Sequence, residues 1–257
     1  MKIALTIAGS DPTGGAGFQA DLKVFKSLGV YGLSIPSVMT AQSTAGVSDI
    51  FELPESFFSA ELDTLLQDIH PDSLKTGMLY STDIIRITAQ KIKEYSLQNL
   101  VIDPVTVSST GVSLVRDGCL EALKEYLFPL AKVITPNIYE ASVFTGINID
   151  NEKDMKDAAM KLSRSIGIGP EAVIVTGGHL KHAAIDIVWD GKEFLTLESE
   201  RAEGEYHGTG CAFSSVITAC LALGYDVREA AVKAKEFVGN AIKSAVMIGK
   251  GMKVLNF

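Results

Sequence analysis

Long apolar runs, basic blocks and paired cysteines are all missing from this chain of 257 residues. No stretch approaches the ~20 consecutive apolar residues that a membrane span needs, so a membrane protein is not expected. Acidic residues outnumber basic ones, 31 to 23, for a net charge of -8, and no Lys/Arg cluster stands out. Binding a phosphate backbone calls for the opposite balance, so no nucleic-acid partner is expected, while a local basic site for a small anion stays open. The cysteines are Cys119, Cys211 and Cys220, with no CxxC pair among them. That argues against a disulfide framework and a thiolate zinc site, and it points to a reducing, cytoplasmic compartment. The opening residues carry one lysine and a short apolar run that flows straight into a glycine turn. They read as a buried first strand rather than a signal peptide.

What is present is a large stock of core material, 47% hydrophobic residues, enough for one sizeable domain over 1–257. Short β-branched runs alternate with longer amphipathic stretches. Strands are predicted at 3–8, 33–39, 73–76, 99–102, 131–134 and 172–176, although Pro36 is awkward in a strand. Helices are predicted at 15–28, 55–68, 82–94, 117–127, 137–144 and 153–166. This order predicts an α/β fold with a mostly parallel sheet and helices on both faces. Leu100-Val101-Ile102, Lys132-Val133-Ile134 and Ala172-Val173-Ile174-Val175 are continuous rather than alternating, as strands covered on both faces are. The pattern then changes. Ile185–Trp189 and Glu193–Leu197 flank Asp190-Gly191, a hairpin turn signal. Two helices follow, near 210–223 and 226–247, separated by Gly224, which suits a helix C-terminus.

Several turns at predicted carboxyl ends of strands have the residue types of a ligand site. The first is Gly9-Ser10-Asp11-Pro12-Thr13-Gly14-Gly15-Ala16-Gly17. Gly9 and Gly14 have P-loop spacing, but Gly15-Ala16 replace the required Lys and hydroxyl residue. Gly15-Ala16-Gly17-Phe18-Gln19-Ala20 fits the dinucleotide fingerprint, yet the second strand ends in Thr40-Ala41-Gln42-Ser43-Thr44 without the ribose-binding acid. Backbone brought close to some other ligand, or a tight turn alone, remains. Gln42 offers a donor and an acceptor at a strand end. Asp21 reads from its spacing as a surface charge on the first helix. Lys75-Thr76-Gly77-Met78-Leu79 is either a plain βα turn with a core Met or part of a site. Asp103, in Ile102-Asp103-Pro104-Val105, ends a buried strand, where a carboxylate needs a partner or a cation. Asn137 and Glu140 have the capping-box offset, and a carboxylate there would also suit magnesium. Thr176-Gly177-Gly178-His179 is a turn straight after a buried strand. His179 and His182 lack the partners of a zinc site.

The most telling turn is His207-Gly208-Thr209-Gly210-Cys211, followed by a mostly apolar or small stretch that reads as a buried helix. Thr209 is a natural N-cap. A glycine-rich first turn aims free N–H groups and the positive helix end at one point, as phosphoryl transfer requires. Cys211 falls in the first turn, where a thiol can have a depressed pKa and serve as base or nucleophile. It can equally be a small packing residue.

Taken together, these segments resemble the ribokinase-like superfamily, and within it the hydroxymethylpyrimidine/phosphomethylpyrimidine kinases of thiamin biosynthesis. The matching residues are Ala8 to Gly17, Gln19 to Lys23, Ala41-Gln42, Lys75 to Leu79, Asp103 to Val105, Thr135 to Asn137, Glu140-Ala141, Gly177 to Leu180 and His207 to Cys211. The resemblance runs from residue 3 to about 245. It implies a three-layer α/β/α sandwich with a small β-hairpin near 184–197. It also implies ATP-dependent phosphorylation of 4-amino-5-hydroxymethyl-2-methylpyrimidine and then of its monophosphate, with Mg2+. Pyridoxal or pyridoxine kinase activity, alone or alongside, is the alternative. By this resemblance Gln42, Gly9, Asp21 and Met78 line the substrate pocket. Asn137, Thr176, Gly177 and Lys235 lie toward ATP, Glu140 and Asp103 toward the metal, and Gly208, Thr209 and Gly210 form an anion hole beside Cys211. The superfamily usually has Asp where Cys211 stands. The resemblance also implies a homodimer. Two departures are Thr106, where a Met is usual, and Ala212, where a Thr is usual.

Overall fold

A computed structural model describes all residues except 108–112, 166–169, 179 and 181–183. Its main sheet has eight strands. Six are parallel and run β2 (Tyr31–Pro36), β1 (Ile3–Ala8), β5 (Ser73–Thr76), β6 (Leu100–Ile102), β7 (Val133–Ile134), β8 (Ala172–Gly177). Beyond β8 the sheet is continued by an antiparallel pair, β9 (Ala184–Trp189) and β10 (Phe194–Ser199). The expected hairpin near 184–197 is therefore present, built onto the edge of the sheet.

Alternate residues of each strand feed two opposite cores. Leu5, Ile7, Leu74, Ile102, Ile134, Val173 and Val175 face α2 (Glu55–Asp68), α3 (Thr82–Glu94), α5 (Ile138–Thr145) and α6 (Glu152–Ser165). Val101, Val133, Ile174 and Val188 face α7 (Thr209–Leu223) and α8 (Val227–Lys243), with Val24 of α1 (Gly17–Ser27). Central strands covered on both sides need no polar face, which is why their sequences do not alternate. Helix α7 shows the same thing: every residue from Ala212 to Ala222 is buried.

Two local expectations change, and one pairing is added. The predicted strand 33–39 is two elements. The chain leaves the sheet at Ser37, whose hydroxyl donates to the Met78 carbonyl at 2.5 Å. It then enters a separate antiparallel hairpin of β3 (Val38–Ser43) and β4 (Gly46–Glu52). Pro36 is tolerated because β2 is an edge strand. The predicted helix 117–127 is a short α4 (Cys119–Ala122) continued as a wider π turn. Finally, the C-terminal residues form β12 (Lys253–Val254), which pairs with β11 (Tyr206–His207) just ahead of α7. Among the described residues, no helix is long and apolar enough to cross a membrane.

Candidate active site

The two glycine-rich turns meet. Gly208 has a φ of +86° and packs so closely that any Cβ would overlap the carbonyl oxygen of Gly15. Glycine satisfies both demands, the left-handed backbone and the contact. Gly208 also changes the expected cap. It is the N-cap residue, Thr209 is the first helical residue, and Thr209 makes no side-chain capping bond. The first intrahelical bond runs from Ala212 N to Gly208 O at 2.9 Å. The amides of Thr209, Gly210 and Cys211 therefore lie ahead of the helix ladder, available to an anion at its positive end.

Asp11 shapes the first turn. Its carboxylate accepts from Thr13 N and Ala16 N at 2.9 and 2.7 Å, and its Oδ2 lies 2.8 Å from His207 Nε2. Burial pushes this carboxyl up, but the His207 and Thr13 hydrogen bonds outweigh it and hold the group below its ordinary value. His207 Nε2 also lies 3.1 Å from Gln42 Nε2. The hairpin carrying Gln42 is thereby joined to both turns. Thr40 adds a bond to the Ser10 carbonyl at 2.8 Å.

Beside these turns lies a small apolar wall. Met78 clusters with Val38 and Leu114, with Val47, Ile50, Tyr80 and Val105 against it. A Cβ on Gly9 would press on Met78 Sδ and Val38 Cγ1, both at 3.1 Å. Gly9, Met78 and the hairpin of Gln42 thus come together. Asp21 does not join that wall, and it is no surface helix charge either. It has no exposed surface. Its carboxylate is held by Lys75 Nζ at 2.8 Å and by the hydroxyls of Thr6 and Ser215 at 2.6 Å. Breaking such a buried pair by removing one partner costs about 3–5 kcal/mol. A lysine inside a strand covered on both faces could have announced this pair, since its ammonium must find a carboxylate.

Asp103 and Glu140 are also buried. Ser214 Oγ donates to Asp103 at 2.9 Å, and Lys75 Nζ stands 3.9 Å from it. Burial raises the Asp103 pKa against the pull of Lys75. Glu140 completes the capping box with Asn137. Its Oε2 accepts from Asn137 N at 2.9 Å, while Asn137 Oδ1 accepts from Tyr139 N and Glu140 N. Burial, and then the nearby Asp103, push Glu140 up to about 8. Two buried carboxylates that resist ionising together suit a divalent cation, which would relieve both. Among the described residues no three His, Cys, Asp or Glu side chains converge to cage an ion. A magnesium ion held mostly by phosphate and water fits two carboxylates.

Asn137 is bridged to Thr176 of β8. The next residue, Gly177, donates its N–H to Asp186 at 3.0 Å, and Lys235 Nζ reaches Asp186 at 2.9 Å and the Ala184 carbonyl at 2.8 Å. Lys235 therefore braces the Gly177 turn through Asp186. His179 and His182 lie outside the described residues.

Cys211 differs from expectation. Its pKa is not depressed but pushed up to about 12, by burial first and then by Asp103, with Lys75 only partly offsetting them. Its thiol is hydrogen-bonded with Asp103 and with the Gly17 amide. The helix end is outweighed here because the thiol sits beside the carboxylates of Asp103 and Asp21.

Comparison with known proteins bears on these residues. The family model described as phosphomethylpyrimidine kinase matches residues 11–256. The chain is 44% identical over 254 residues to the thiamine biosynthesis bifunctional protein ThiED of Geobacter sulfurreducens, covering 98% of this chain and 51% of that protein, so it spans about half the length of that relative. It is 39% identical to the hydroxymethylpyrimidine/phosphomethylpyrimidine kinase of Bacillus subtilis, covering 96% of this chain and 92% of the relative. A solved ADP complex of Bacillus subtilis pyridoxal kinase superposes with a TM-score of 0.90 at 41% identity, covering 100% of this chain and 97% of that one.

Proposed function

The chain belongs to the phosphomethylpyrimidine kinase family, and from that premise we propose that it uses ATP and Mg2+ to phosphorylate 4-amino-5-hydroxymethyl-2-methylpyrimidine and then its monophosphate. The observation that carries this reading is the packing of Gly208 on Gly15, which sets the start of α7 beside the Gly9–Met78 wall. In this reading the ring lies on Met78, and Gln42 reads its polar edge. The Gly208, Thr209 and Gly210 backbone faces the transferred phosphate. One such donor is worth about 3 kcal/mol in a transition state. Asn137, Thr176 and Gly177 take the nucleotide side, with Lys235 bracing them. Asn137 and Glu140 would hold the magnesium-water shell with Asp103 near, and the ion would supply charge neutralisation at the phosphates.

Cys211 is assigned to the alcohol proton by a relay. With a pKa pushed up to about 12 it starts as a neutral thiol. As Cys211 Sγ accepts the alcohol proton, its own S–H proton passes to the hydrogen-bonded Asp103 carboxylate. Charge and protons balance without a resting thiolate.

A second reading, pyridoxal kinase activity, is favoured by the likeness to the Bacillus subtilis pyridoxal kinase. Both ring types bear a hydroxymethyl group. Magnesium-dependent ADP release against the pyrimidine, its monophosphate, pyridoxine and pyridoxal separates them. Turnover of the monophosphate singles out the pyrimidine enzyme, and silence with all four sinks the kinase reading. A cytoplasmic homodimer completes the proposal, and the mass in solution tests the dimer.

A further inference from the structure

Lys75 is a fully buried lysine that takes no part in the chemistry described above. It sits in β5, paired in register with Thr6 of β1 and Val101 of β6. Its Nζ reaches Asp21 Oδ1 at 2.8 Å, Ser215 Oγ at 3.4 Å, the Cys211 carbonyl at 3.4 Å and Asp103 Oδ2 at 3.9 Å. The hydroxyl of Ser215 also donates to Asp21 Oδ1 at 2.6 Å.

These contacts gather three parts of the site. Asp21 belongs to α1, which follows the first glycine turn. Cys211 and Ser215 belong to the start of α7, which follows the second. Asp103 opens the loop after β6. An ammonium has three donors and no acceptor, and here its hydrogen bonds end on Asp21 of α1 and on the Cys211 carbonyl and Ser215 hydroxyl of α7, while Asp103 stands at ion-pair distance. A buried ion pair serving stability alone can be exchanged for apolar side chains with little loss. An apolar group in this place would leave the Cys211 carbonyl and Ser215 with no common anchor.

We propose that Lys75 is a positioning residue for phosphoryl transfer. Its ammonium, buried beneath the first turn of α7, ties that turn to α1 and to Asp103, so that the amides of residues 208–210 and the Cys211 thiol hold their aim. The proposal rests on the kinase reading. Lys75 itself has no exposed surface with which to meet a ligand.

The test is the double variant Lys75→Met with Asp21→Asn, which removes both members of the Lys75–Asp21 pair together. The expected result is a folded protein with kcat at least 30-fold lower, and KM for ATP and for the acceptor within threefold of the unsubstituted enzyme. A folded double variant with undiminished kcat, or one whose loss lies in KM alone, overturns the proposal. If the double variant does not fold, Ser215→Ala decides, because it keeps the ion pair and removes the side-chain bridge from that pair to α7, leaving the contact with the Cys211 carbonyl. A five- to tenfold lower kcat at unchanged KM supports the proposal, and an unchanged kcat overturns it. Absence of turnover in the unsubstituted enzyme would instead sink the kinase reading, so the two failures are distinct.

Discussion

His207 Nε2 lies 2.8 Å from Asp11 Oδ2, across the seam where the two glycine turns meet. The same nitrogen is 3.1 Å from the Gln42 amide. One imidazole thus stands between the turn beside the phosphate and the side chain assigned to the substrate ring. His207→Ala is expected to raise the acceptor KM about tenfold, the value of one lost hydrogen bond to a charged or polar partner. ATP KM should move less than threefold. Steady-state kinetics with each substrate varied in turn checks this. Asp11 adds an acid dependence. Its folded pKa is below the unfolded one, so its stabilising effect is full above the ordinary value of 3.8 and fades as pH falls through the folded value. Asp11→Asn should cost stability at pH 6 and progressively less below pH 4, as read by chemical denaturation.

The thiols should be quiet. Burial raises the pKa of Cys119, takes Cys220 up to about 11, and with Asp103 takes Cys211 up to about 12. Reaction with a disulfide reagent at pH 7.5 needs thiolate. The native protein is expected to show less than one fast-reacting thiol, and all three after denaturation. A fast thiol lost in Cys211→Ala would contradict the relay assigned to Cys211. Under the relay, Cys211→Ala should lower kcat by ~100-fold or more, the usual worth of a positioned proton acceptor, with ATP affinity nearly intact.

Glu140 makes the protein's stability depend on pH in a definite direction. Its pKa is raised from 4.5 to about 8 on folding. The unfolded chain therefore loses this proton first, and stability falls as pH rises from about 4.5 to about 8. Glu140→Gln keeps the capping geometry and removes the titration. It should melt higher than the unsubstituted protein at pH 8 without divalent ions, and the gap should close toward pH 5. Magnesium should raise the melting temperature of the unsubstituted protein more than that of Glu140→Gln.

The C-terminal strap reaches the tip of the β3–β4 hairpin. Gly251 N and Met252 N donate to Thr44 Oγ1 and Thr44 O at 3.1 and 3.0 Å. A Cβ on Gly251 would overlap the Thr44 carbonyl. Gly251→Val is expected to loosen the hairpin that carries Gln42, raising acceptor KM severalfold while leaving ATP KM unchanged. Equal effects on both substrates would mean the strap acts on the whole fold rather than on the hairpin.

Much of this was legible from the chain alone. The continuous apolar runs at 100–102 and 172–175 identified strands covered on both faces, because period and burial follow from local side-chain chemistry. Asn137 and Glu140 declared their capping box by a three-residue offset, and the glycines at 208 and 210 marked a helix start. All of these are short-range facts. The break at Ser37 was hidden, because it depends on a hydrogen bond to Met78, 41 residues away. Asp21 read as a surface charge, because nothing near it in sequence reveals Lys75, 54 residues on. Cys211 was open between a low-pKa thiol and a small packing residue from its place on the helix, and its pKa was decided by burial and by a carboxylate more than a hundred residues earlier. Short-range pattern determined which elements form and where the turns lie. Only the packed fold decided which charges share one low-dielectric interior, and the protonation of the site follows from that company.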